Sequence, residues 1–276
     1  MNAIAATLAR PVRLVLLLAA ALGASAAAPP PPTVRLEELT SSELAAAIAA
    51  GSTTIIVPIG GTEQNGPHMV LGKHNARARA LAERIARQLD DALVAPVIAY
   101  VPEGAIEPPT AHMRWPGTIT VSDETFARLL ESAARSFRHH GFRDIVLLGD
   151  HGGYQKIDRS VAAKLNREWA AARARVHAID AYYDAVETDY PRMLRQRGYA
   201  DAEIGTHAGL ADTSLALAID PALVRAERMR SADAVAKGNG VTGDPRRSSA
   251  ELGQLGVDAI VARSVAAIRE AIARRQ

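Results

Sequence analysis

This chain of 276 residues predicts an α/β fold of three αβα layers, with a mostly parallel sheet between the helices. Short β-branched apolar runs alternate with helical stretches, and chemistry-bearing residues cluster directly after two of those runs. Strands that read as continuously apolar are buried on both faces, the condition of a parallel sheet between two helical layers. Ligands in such folds gather beyond the carboxyl ends of the strands.

Residues 1–28 stand apart from this pattern. Arg10 and Arg13 precede the apolar run Leu14 to Leu22, and Ala24-Ser25-Ala26 supplies small residues for a signal peptidase. Cleavage near Ala26 to Ala28 and a periplasmic or secreted product are expected, with no stable membrane anchor, since the run is shorter than the roughly 20 residues of a span. Residues 29–276 then form a single domain.

Within it, Thr40 and Glu43 have the form of a capping box and open an Ala-rich helix stopped by Gly51. Thr53 to Ile59 reads as a buried strand, followed by a helix from about Ala76 to Leu89 and a strand from about Ala92 to Val101. Ser122 caps the next helix, with Asp123 and Glu124 suiting its dipole and Gly141 ending it. A strand at Arg143 to Leu148, a helix to about Ala172, a strand at Arg175 to Ile179 and a closing helix from about Val257 to Arg274 complete the alternation. Glu103 to Pro116 and Gly238 to Gly253 read as long loops, which in a compact domain are usually functional.

Composition narrows the chemistry. Lys and Arg number 32 against 30 Asp and Glu, for a net charge of +2, and no basic stretch is interleaved with aromatics, so no nucleic acid partner is expected. The absence of cysteine excludes disulfides, thiolate metal sites and a Cys nucleophile. Any metal must be held by His and carboxylates.

Two strand-end segments could do this. Pro58 to His68 places Glu63 and His68 in a Gly/Pro-rich turn, and Leu147 to Tyr154 places Asp150 and His151 before Gly152 and Gly153, where backbone can approach a ligand. His74 can point back over the same crevice. Donors of His, His and carboxylate type leave an open position for water, as a catalytic zinc site requires. The same residues also have structural uses: Glu63 can cap a turn, His68 can be a satisfied core imidazole, and Asp150 can bond the glycine amides.

The run Gly60-Gly-Thr-Glu-Gln-Asn-Gly-Pro-His-Met-Val-Leu-Gly-Lys-His74 resembles the signature of the creatininase (creatinine amidohydrolase) family, G-x-T/S-E-Q-H-G-P-H-L-P-x-x-x-D. His112-Met-Arg-Trp-Pro-Gly-Thr-Ile119 resembles that family's H-x-x-F-P-G-T-I, Asp150-His-Gly-Gly153 its N-G-H-G-G-N turn, and His207-Ala-Gly-Leu-Ala-Asp-Thr-Ser214 its H-A-G-E-x-E-T-S. Gly243-Asp-Pro245 with Gly253 is similar to a late G-x-P loop.

The resemblance implies a metal-dependent amidohydrolase that acts on a small amide or cyclic amide, often as a homo-oligomer such as a hexamer, with zinc or manganese. By position, Glu63 and His151 match metal ligands, His74 stands where a bridging Asp is expected, Asn65 where a second-metal His is expected, and Gly153 where creatininase itself has a carboxylate. A neutral His cannot bridge two cations as a carboxylate does. One ion per chain is therefore expected on Glu63, His74 and His151, with Asp150 or Asp212 as a further ligand or support, and two ions only if another residue supplies the missing donors. His207 matches the catalytic His, and Asp212 either orients it or caps the helix that follows. Asn65, His68, His112, Trp115, Gly152 and Gly153 are the expected substrate-binding positions, with His112 alternatively packing a loop. A protein that keeps the fold without hydrolysis, or one that processes short peptides, are the alternatives.

Overall fold

The computed structural model describes residues 33–274, so the expected signal peptide lies outside the described residues. Its centre is the strand β1 (Thr54–Ile59), buried at all positions. β1 pairs in parallel with β2 (Ala92–Val94) on one side and β3 (Asp144–Gly149) on the other, and β4 (Arg175–Ala178) pairs with β3, which gives the order β2-β1-β3-β4. The register aligns Thr54 with Asp144 and Ile59 with Gly149. The loops that carry Glu63 and His151 therefore leave the sheet side by side.

Alternate residues of these strands serve two cores, as the two-residue period of a strand requires. Ile56, Val146 and Leu148 pack with α2 (Lys73–Leu89), α8 (Leu210–Ile219) and α10 (Ala250–Ala273). Ile55, Val57, Ile145 and Leu147 face the opposite layer, with α1 (Ser41–Ala49), α3 (Asp123–His139) and α4 (Gln155–Glu168). The three αβα layers are those expected. Short helices α5 (Asp180–Asp184), α6 (Tyr190–Arg195) and α7 (Asp201–Ile204) lead from β4 to α8, and α9 (Ala226–Arg230) follows it. No helix among the described residues is long and apolar enough to cross a membrane.

The local signals hold where side chains act on their own backbone. Thr40 and Glu43 form the reciprocal capping box, and Ser122 accepts from the Thr125 amide. Three boundaries differ from the sequence reading. The strand after α2 stops at Val94, because Pro96 has no N–H for the ladder, and only an isolated bridge from Ile98 to Ile59 continues it. α2 begins at Lys73, which puts His74 in its first turn. α10 begins at Ala250, capped by Ser249, and contains Gly253: a Cβ there would lie 1.8 Å from the Ser214 carbonyl oxygen, so this glycine allows α8 and α10 to touch and does not mark a loop.

Candidate active site

Tyr154 joins the two site loops. Its buried hydroxyl accepts from the amides of Asp150 (3.0 Å) and His151 (3.1 Å), and its proton is shared by the carbonyls of Ile59 (2.8 Å) and Gly60 (2.7 Å). One side chain thereby ties four backbone groups at the ends of β1 and β3, two of which, the Asp150 amide and the Ile59 carbonyl, also bond each other.

From this base runs a buried chain of charges. Nε2 of His74 is 2.7 Å from Oε1 of Glu63, and its Nδ1 is 2.6 Å from Oδ2 of Asp150. Asp150 also accepts from Arg77 (2.9 Å) and from the hydroxyl of Tyr182 (2.6 Å), and Arg77 reaches on to Asp212 (2.7 Å). Lys73 closes the chain with an ion pair to Asp212. Burial and the Lys73 charge oppose protonation of His74, but the two carboxylates outweigh them and hold its pKa above the ordinary value. Asp150 and Asp212 titrate below the ordinary range, since nearby cations overcome the burial that would raise them.

On the other side of Glu63 the polar groups are not satisfied. Oε2 of Glu63 and both carboxyl oxygens of Glu103 are buried without a hydrogen-bond donor. One ligand atom each from Glu63, Glu103, His112 and His151 lies within 4.8 Å of all the others. His112 approaches Oε2 of Glu63 to 3.2 Å and His151 to 3.7 Å. Burial, then the Glu63 charge, pushes Glu103 up to about 8. Burial pulls His151 down to about 3 and also lowers His112, so both imidazoles are neutral. Two orphaned carboxyls facing two neutral imidazoles fit a divalent cation of the zinc or manganese type. Gly61, at φ +150°, permits the arrangement, because a Cβ there would come within 2.7 Å of Glu103 Oε1.

His207 stands beside this cluster. Its Nε2 lies 3.0 Å from the Gln64 carbonyl oxygen and 3.1 Å from the Gln64 side-chain amide nitrogen, and its Nδ1 lies 3.7 Å from Glu63 Oε1. Burial lowers it to about 4. Two cavities meet here, both bordered by His151, Thr206 and His207. The inner one, of ≈ 200 Å³, holds Lys73, Arg77 and Asp212, and the outer one, of ≈ 540 Å³, is walled by His112, Trp115 and Gly240.

The structure thus brings Glu63, His112, His151, His207 and Trp115 together and moves other expected residues elsewhere. His74 and Asp150, read as metal ligands, are committed to each other, to Glu63, Arg77 and Tyr182, which leaves neither ring nitrogen of His74 free. Asn65 and His68, read as substrate-binding, are buried inside their turn: Asn65 donates to the carbonyls of Glu63 and Val70, and His68 bonds Thr213 at 2.9 Å. Asp212 lies in the first turn of α8, where it accepts from the Ala208 amide and faces Lys73 and Arg77 rather than His207. Gly152 and Gly153 allow close packing of Tyr183 and of the His151 ring; the Gly153 amide donates to His151 Nδ1. Glu103 was not read from the sequence as a site residue. Its only signal was its position at the head of a long Pro/Gly-rich loop.

The family model of creatinine amidohydrolase matches residues 37–268. The chain belongs to the creatininase family. Among curated relatives, a mycofactocin precursor peptide peptidase of Mycobacterium tuberculosis is 29% identical over 72% of this chain and 78% of its own length, and a creatinine amidohydrolase of Pseudomonas putida is 26% identical over 63% and 67%. A solved creatinine amidohydrolase and a mutant creatininase described as of Zn–Zn type each superpose with a TM-score of 0.70 at 26% identity, covering 87% of this chain and 98% of theirs.

Proposed function

We propose that this creatininase-family chain is a metal-dependent amidohydrolase that opens the C–N bond of a small amide or cyclic amide, with one zinc or manganese ion held by Glu63, Glu103, His112 and His151. The observation that carries the reading is the set of three buried carboxyl oxygens without donors, all on the side of Glu63 that faces two neutral imidazoles. A divalent ion bound there would lower the pKa of a water and polarise the substrate carbonyl.

The chain's own groups then divide the work. Nε2 of His207 is within hydrogen-bond distance of both the carbonyl and the side-chain amide of Gln64, and its Nδ1 faces Glu63. Neutral at pH 7, His207 takes the proton of the attacking water and passes it to the leaving nitrogen. His74, locked between Glu63 and Asp150, fixes the orientation of the Glu63 carboxylate. Trp115 supplies an apolar wall to the outer cavity for the substrate body.

Processing of a short peptide is a second reading. It is favoured by the cavities on both sides of His151 and His207, which leave room for chain on either side of a scissile bond, and by the relatives named as peptide peptidases. Assembly as a homo-oligomer, a hexamer by resemblance, belongs to the same proposal, and light scattering reads it.

The test is to incubate the zinc- or manganese-loaded protein with small cyclic amides, linear amides and short peptides and to follow products by mass spectrometry. Turnover of one class, lost on His151→Ala, supports the proposal and selects between its two forms. No turnover of any substrate by metal-loaded protein would leave a non-hydrolytic binding protein as the better account.

A further inference from the structure

The side chain of Lys73 is only 2% exposed, and its ammonium pairs with Asp212 and lies 3.8 Å from Oε1 of Glu63. Lysine is almost never this buried unless it is paired, because only close carboxylates offset the loss of water around the charge. Glu63 therefore has a fixed cation beside one oxygen, while its other oxygen, Oε2, faces His112 and His151 without a donor.

Geometry makes the consequence definite. Lys73 pairs with Asp212 and lies 3.8 Å from Glu63, and Arg77 pairs with Asp150 and Asp212. A second divalent ion beside Glu63 and Asp212 would add two positive charges next to these fixed cations, in a region with little water to screen them. The ammonium also fills the space between Glu63 and Asp212, the two carboxylates on that side with oxygens turned to one point.

We propose that Lys73 is the resident cation of this centre and limits it to one divalent ion. The inference rests on the metal reading above and sets this chain apart from the solved relative of Zn–Zn type: the second positive charge beside Glu63 is here a covalent part of α2.

The experiment uses the purified protein, stripped with a chelator, loaded with excess zinc or manganese and desalted, with ions per chain counted by elemental analysis. The wild type retains one ion. Lys73→Glu retains two, since exchanging an ammonium for a carboxylate removes the two units of charge that a second ion restores. Lys73→Met retains one ion, held at least about tenfold more tightly against a competing chelating dye, because a nearby like charge is gone. Two ions on the wild type, one on Lys73→Glu, or an unchanged or weaker affinity in Lys73→Met overturns the proposal. If Lys73→Glu does not fold, the wild-type count and the Lys73→Met affinity still decide. No ion on the loaded wild type overturns the metal reading itself, an outcome distinct from failure of the Lys73 assignment alone.

Discussion

Nε2 of His74 lies 2.7 Å from Oε1 of Glu63, a contact that occupies the ring nitrogen the sequence offered to a metal. With Asp150 on its other nitrogen, His74 links two carboxylates, and they raise its pKa above the ordinary value. Its raised pKa stabilises the fold below the unfolded value near 6.5, and that contribution is lost as pH rises through the folded value. His74→Gln should therefore lower stability by about 3 kcal/mol at pH 6, with a smaller deficit at high pH, read from urea unfolding at each pH. An equal deficit at every pH would mean that the ring is not charged in the native state.

On the proposed ligand set, Glu103 supplies one of the four donors. Glu103→Gln should weaken zinc or manganese binding by more than about 100-fold, beyond what loss of a supporting residue usually costs, while circular dichroism stays unchanged. Retained affinity would remove Glu103 from the ligand set.

Tyr154→Phe deletes the hydroxyl that binds four backbone groups. The Asp150 amide and the Ile59 carbonyl would keep only their bond to each other, and the His151 amide and the Gly60 carbonyl would lose their partner, so a loss of about 2 kcal/mol is expected in chemical denaturation. Metal affinity should fall with it, since the Glu63 and His151 loops would no longer be tied.

Asp158 is buried in the first turn of α4, with neither oxygen bonded. Burial, then the Asp180 charge, raises it to about 8. The unfolded carboxyl ionises near 3.9, so the native state pays a growing penalty as pH climbs from about 4 to 8. Asp158→Asn removes that penalty. Its melting temperature relative to wild type should rise between pH 5 and pH 9, and a flat difference would show that Asp158 ionises freely.

Much of the fold was legible because its signals are local. The β-branched runs became β1 and β3, and Thr40, Ser122 and Gly141 did at helix ends what their backbone chemistry dictates. The strand after α2 was overread because β propensity masked the missing N–H of Pro96. In the site, strand-end position drew notice to Glu63 and His151, whose side chains the structure places 3.7 Å apart. The roles of His74, Asp150 and Asp212 were not legible, since they depend on Lys73 and Arg77 being folded inward, and charged residues on a helix ordinarily read as its solvated face. Glu103 was hidden for the opposite reason: a loop has no period to betray which side chain turns in.

The four donors come from three separate stretches of chain, two held by the Tyr154 clamp and two riding on the long connection between β2 and α3. On the proposed ligand set, a molecule in which that connection had not settled would own half a binding site and hold its ion poorly. Metal uptake would then act as an assembly inspector, and the fraction of chains that keep their ion through gel filtration would measure how many had completed the least regular part of the fold.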